Sequence, residues 1–106
     1  MGRFVIVAFE PKPGKEDSLA AAIEKHYRVL HAENLVTDKT PYLMRANNGV
    51  VLEVFEWRSA EAIAEAHSNP AVQALWSDFE DACDYVPLNS LGEARQMFAE
   101  FEAIPS

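Results

Sequence analysis

The sequence predicts an α+β fold, with one antiparallel sheet carrying its helices on one face, and three observations predict it. Arg3 to Phe9 and Val50 to Trp57 are apolar on both sides of a two-residue alternation, as strands covered on both faces are. Two other stretches, Lys15 to His31 and Asn69 to Val86, repeat their apolar residues every three or four positions, which is the period of a helix with one buried stripe. Between the two strand-like runs, Asn47-Asn48-Gly49 supplies residues that tolerate positive φ in a tight hairpin, so the strands it joins run antiparallel.

The elements follow in order. The first strand, Arg3 to Phe9, is β-branched and aromatic and ends at the loop signal Pro11-Lys12-Pro13-Gly14. The first helix, Lys15 to His31, places Leu19, Ile23, Val29 and Leu30 on one face, with Ala20, Ala21 and Ala22 as strong formers beside them. Thr40-Pro41 breaks the chain, Tyr42 to Ala46 is extended, and Val50 to Trp57 returns beside it, interrupted by the charged Glu53. Ser59 is an N-cap for a short helix through His67. Asn69-Pro70 supplies a cap and a first-position proline for a longer helix through Val86, whose apolar face carries Val72, Leu75, Trp76, Phe79, Cys83 and Val86. Beyond Pro87, Met97 to Glu102 reads as a fourth strand at a sheet edge. The order βαββαβ is the ferredoxin-like one, in a single domain spanning residues 1–106.

Composition narrows the function. With 49% hydrophobic residues the chain is globular, and its net charge of -8, spread along the helices, repels phosphate backbones and anionic lipid surfaces; no nucleic acid and no membrane partner is expected. The single Cys83 cannot form an intrachain disulfide and the start lacks a secretory pattern, so the cytoplasm is the expected location. His26 and His31 fall on different helix faces and no Cys or His pair has structural-zinc spacing, so no metal is expected. With helices on one side of a sheet whose strands are apolar on both, a lone chain would show water an apolar patch, and a homodimer packed sheet to sheet removes it.

Glu56-Trp57-Arg58-Ser59-Ala60-Glu61-Ala62-Ile63, running into Ala66-His67-Ser68-Asn69-Pro70, resembles the central motif of the antibiotic-biosynthesis monooxygenases, in which a strand ends in Trp and a helix of the form S-x-E-A leads to His. The Pro-Gly bend before the first helix and the order of elements agree, so the resemblance covers nearly the whole chain. It implies a dimeric α+β barrel and, for activity, a cofactor-independent monooxygenase acting on a small aromatic or quinol-like molecule in an apolar pocket. The same barrel also carries isomerases and other proton-transfer enzymes, and non-catalytic dimers that bind a small molecule. Haem-degrading relatives carry Asn, Trp and His where this sequence has Val7, Ala66 and Trp76, so no haem and no other cofactor is expected.

Oxygenation of a phenol needs a base to form the electron-rich phenolate and an apolar chamber around it. A histidine suits the base. His67, four residues after Ile63 on the face carrying Ala60 and Ala64, is expected to point inward; otherwise it is a helix-end residue bonded to a carbonyl. His26, on the Leu19, Ile23, Leu30 stripe, is the second candidate base, or else a satisfied core histidine, whereas His31 at the flank is solvated. Trp76 and Phe79 are candidate walls for a flat substrate, or plain core. Tyr27, Tyr42 and Tyr85 each combine an apolar body with a hydroxyl that could orient a ring, or else are partly exposed packing. Glu53 needs a partner if it is desolvated, and Arg45 on the adjoining strand is the natural one.

Overall fold

The computed structural model describes residues 1–105. Its elements are β1 (Arg3–Pro11), α1 (Glu16–Ala32), β2 (Tyr42–Arg45), β3 (Val51–Trp57), α2 (Ala60–Ala66), α3 (Pro70–Ala82), β4 (Cys83–Val86) and β5 (Glu102–Ala103), with 3-10 turns at Leu88–Ser90 and Glu93–Arg95. The strands form one antiparallel sheet in the order β4-β1-β3-β2-β5. At its centre β1 and β3 pair from Arg3 opposite Trp57 to Phe9 opposite Val51. The architecture is the expected α+β, ferredoxin-like one.

Local signals act where the sequence puts them. Gly49 takes φ +92° in the turn between β2 and β3, a conformation open to glycine at little cost, and the turn closes with Ala46 N–H donating to Val50 O at 2.9 Å. Ser59 Oγ accepts the Ala62 N–H at 3.1 Å, and Asn69 Oδ1 accepts those of Ala71 and Val72 at 2.9 and 3.2 Å with Pro70 just inside the helix. Those side chains satisfy backbone donors that the first helical turn leaves unpaired.

Strand alternation sends Val5, Val7, Phe9, Val51, Phe55 and Trp57 toward the helices. There they meet Leu19, Ile23 and Leu30 of α1, Ala62 and Ala66 of α2, and Val72, Leu75 and Phe79 of α3. Each large side chain buried in this layer contributes about 1.5–3 kcal/mol. A smaller cluster on the far face joins Ala8, Ala46, Val50 and Leu52 to Leu91, Ala94 and Phe101 of the C-terminal segment, which folds across part of the sheet. The rest of that face is bare: Ile6 and Tyr42 both lie opposite Val54 in the ladders, and Phe4, Ile6 and Tyr42 are exposed.

Two expectations are corrected. The last long helix stops at Ala82 rather than Val86, because Cys83 turns to φ -154° and ψ 171° and the chain continues as β4, pairing with β1 from Ala8 to Pro11. Cys83 and Val86 continue the apolar spacing of α3, but four residues fit either period, and pairing satisfies the backbone groups of β1 at its free edge. The final strand is likewise shorter and later than Met97 to Glu102: only Glu102–Ala103 joins the sheet, beside β2, while Met97 and Phe98 stay exposed. Among the described residues no helix is long and apolar enough to cross a membrane.

Candidate functional site

A helical stripe that buries Ala22, Ile23 and Leu30 must also bury His26, and α1 lays it against the middle of the sheet. Beneath it stands Glu53, at the centre of β3 between Val7 of β1 and Leu43 of β2. His26 is 5% exposed and Glu53 1% exposed. Their side chains meet at 2.6 Å, Nδ1 to Oε1. Removing a carboxylate from water costs several kcal/mol unless a partner compensates it, and the imidazole is that partner. Phe55 and Phe79 meet the ring in edge contacts, with centroids 5.2 and 5.0 Å away.

The pair fixes the chemistry of the ring. With Glu53 ionised, its carboxylate only accepts, so Nδ1–H donates to it and a neutral imidazole carries its lone pair on Nε2. Among the described residues no enclosed side-chain nitrogen or oxygen lacks a partner, and Nε2 bonds to no protein group; it therefore opens into the chamber that His26 lines. That chamber, of about 560 Å³, is walled by Phe55, Trp57, Trp76, Phe79 and Tyr85 with valines of β1. Tyr85 packs against Phe9 at 5.7 Å; desolvation, then Cys83 and Glu80, push its phenol up to about 12, so its hydroxyl stays protonated and can donate. Glu53 lines a second chamber, of about 550 Å³, between α1 and the β2 side of the sheet. The His26–Glu53 bond is the partition between the two.

The structure brings together His26, Trp76 and Phe79 of the expected site and separates the others. His67 is exposed rather than inward: α2 buries Ala62 and Ala66, not Ala60 and Ala64, so the residue after Ala66 swings outward at the helix end, its ring against Trp76 at 5.1 Å. Tyr27, one position after His26, is turned about 100° around α1. It lines the Glu53 chamber, and its hydroxyl donates to Thr37 O at 2.6 Å. Burial first and then Asp38 hold that phenol above its ordinary value. Tyr42 is on the opposite face of the sheet, exposed, beside a depression it shares with Phe4 and Val54. His31 is exposed as expected, with Nε2 at 2.8 Å from Asp38.

Arg45 is not the partner of Glu53. It sits opposite Val51 nearer the sheet margin, exposed, with its guanidinium 3.6 Å from Glu102. Cys83 is buried packing as expected, its thiol pushed up to about 11 chiefly by burial. Among the described residues no group of three or more His, Cys, Asp or Glu side chains is arranged to hold a metal ion.

No family model and no curated protein matches the chain. Among solved structures, that of Rv0793 from Mycobacterium tuberculosis is similar, with a TM-score of 0.65 and 18% identity over 81% of this chain and 89% of that one. At that identity the likeness is one of fold.

Proposed function

We propose that the chain is a cofactor-independent monooxygenase of the antibiotic-biosynthesis monooxygenase family, working in the cytoplasm as a homodimer on a small phenol or quinol. The observation that carries this reading is the His26–Glu53 pair, which presents a base to a chamber lined by aromatic rings. A cavity of about 560 Å³ is in the range that encloses a molecule of two or three fused rings.

In the proposed reaction His26 Nε2 takes the phenolic proton, and Glu53 stabilises the imidazolium so formed. The phenolate gives one electron to O2, producing a phenoxyl radical and superoxide, which combine at a ring carbon that bears hydrogen, ortho or para to the oxygen. The peroxide takes the proton back from His26. The ring hydrogen then leaves as a proton, the O–O bond breaks, and hydroxide departs with that proton as water while the C=O forms. One oxygen atom enters the ring and the other becomes water. Trp76 and Phe79 flank the ring plane, and the lining is apolar apart from Glu80, Tyr85 and His26 itself.

The test is oxygen uptake with 1,4-dihydroxynaphthalene, with product mass after labelling by ¹⁸O2. The wild-type chain is expected to consume oxygen above autoxidation and to place one labelled atom in the product, and His26→Gln to lose about 100-fold or more in rate. His67→Ala should leave the rate unchanged. Uptake equal to that of buffer, or unaffected by His26→Gln, would contradict the reading. Proton transfer within an unsaturated ketone, without oxygen, would assign the same pair to an isomerase instead.

The bare part of the far face supports the dimer, since Phe4, Ile6 and Tyr42 form a patch that a second copy can cover. Light scattering is expected to return twice the 11.8 kDa chain mass, and Ile6→Lys with Tyr42→Lys to return one chain mass. A wild-type monomer at micromolar concentration would contradict it.

A further inference from the structure

The aromatic chamber uses only one side of the buried pair. On the other side, Glu53 lines a slot between α1 and the β2–β3 half of the sheet, closed at one end by Thr40-Pro41 and Ile104-Pro105. Its floor and walls are apolar, from Leu19, Ile23, Leu43 and Val51. Its polar groups are unbalanced in charge. Glu16 and Glu24, two turns apart on α1, stand at the rim and Glu53 at the bottom, while the single cation, Arg45, is directed to Glu102.

Glu53 separates this slot from a mere cluster of surface acids. Its Oε1 is taken by His26, its Oε2 has no protein partner among the described residues, and no enclosed polar side-chain atom there is left unpaired. Oε2 is therefore open to the slot, although the residue as a whole is 1% exposed. A carboxylate oxygen at the bottom of an apolar slot, out of bulk water, interacts strongly with a cationic donor, because little solvent screens it.

We propose that this slot binds a primary ammonium carried on a compact apolar body, with the ammonium donating to Glu53 Oε2 and the body lying between α1 and the sheet. The volume of about 550 Å³ admits a one- or two-ring amine. Glu16 and Glu24 at the rim attract the cation and repel carboxylates, so acids of the same shape are rejected. The site is independent of the oxygenase reading, because it needs no turnover and lies on the opposite side of the His26 ring from the aromatic chamber.

Calorimetric titration with 2-phenylethylamine and, as the uncharged isostere, 2-phenylethanol at neutral pH tests it. The amine is expected to bind about tenfold or more tightly than the alcohol, the advantage of a charge-assisted hydrogen bond. Glu53→Gln, which keeps an acceptor for His26, should erase that advantage. Ala20→Trp, on the exposed surface of α1 at the slot, should fill it and abolish amine binding, and Trp76→Ala should leave amine binding as it was. Equal affinities for amine and alcohol would overturn the proposal. So would amine binding that survives Ala20→Trp or is lost in Trp76→Ala, which would put the ligand in the aromatic chamber. Ala20→Trp leaves the buried pair untouched, so it decides the matter even where Glu53→Gln fails to fold.

Discussion

His26→Ala is expected to cost about 3–5 kcal/mol of stability, the penalty for leaving a buried carboxylate without its partner. Glu53 has no second protein partner to turn to: it is 1% exposed, Arg45 is engaged 3.6 Å from Glu102, and its neighbours across the sheet are Val7 and Leu43. Glu53→Ala should cost less than His26→Ala, because an uncharged imidazole tolerates burial better than a carboxylate does. The double replacement His26→Leu with Glu53→Met removes both polar groups and fills their volume, and should be the mildest of the three. Urea unfolding measures all of these, and adding the double alanine variant His26→Ala with Glu53→Ala closes a double-mutant cycle with the two single alanine variants and the wild type; a coupling energy near zero would mean that the pair contributes nothing as a pair.

Phe79→Ala is expected to cost about 3–5 kcal/mol through lost burial and the cavity left behind. Phe79 is 1% exposed, stacks on Phe9 with centroids 4.9 Å apart, and touches the edge of the His26 ring at 5.0 Å. It thus ties α3 to β1 and clamps the base from one side. Thermal unfolding measures the loss. Because the aromatic chamber grows by the volume removed, oxygen uptake should fall together with stability, whereas a stability loss alone would mark Phe79 as core only.

Much of the fold was legible because its signals are local. Ser59, Asn69-Pro70 and Asn47-Asn48-Gly49 each act through atoms within three residues, and each sits where its chemistry predicts. The alternation of β1 and β3 was equally plain, since one face packs against the helices and the other is apolar too, covered at Ala8 and Leu52 and bare at Phe4 and Ile6. The end of α3 was not legible. Cys83 and Val86 satisfy helical spacing as well as strand spacing, and what decides between them is the free edge of β1, some seventy residues earlier in the chain.

The candidate site was legible residue by residue but not as a constellation. The spacing of α1 turned His26 toward the sheet and marked Glu53 as a charge in an apolar strand, yet nothing local states that α1 crosses β3 at that point. Proximity along the sheet suggested Arg45 instead. For His67 the alanines misled, because Ala60, Ala62, Ala64 and Ala66 give α2 no apolar contrast from which to choose the inner face. Tyr85 was visible only as one tyrosine among several until β4 placed it against Phe9 at the chamber.

The central claim is that His26 is a base whose proton sits on Nδ1, toward Glu53, and whose Nε2 faces the aromatic chamber. Nitrogen-15 NMR of the imidazole ring, recorded with and without a non-reactive phenol such as 4-nitrophenol, tests it most directly. The account predicts a protonated Nδ1 bonded to the carboxylate and a phenol-dependent shift confined to Nε2, lost in Trp76→Ala. A ring carrying its proton on Nε2, or one that no phenol perturbs, would contradict it.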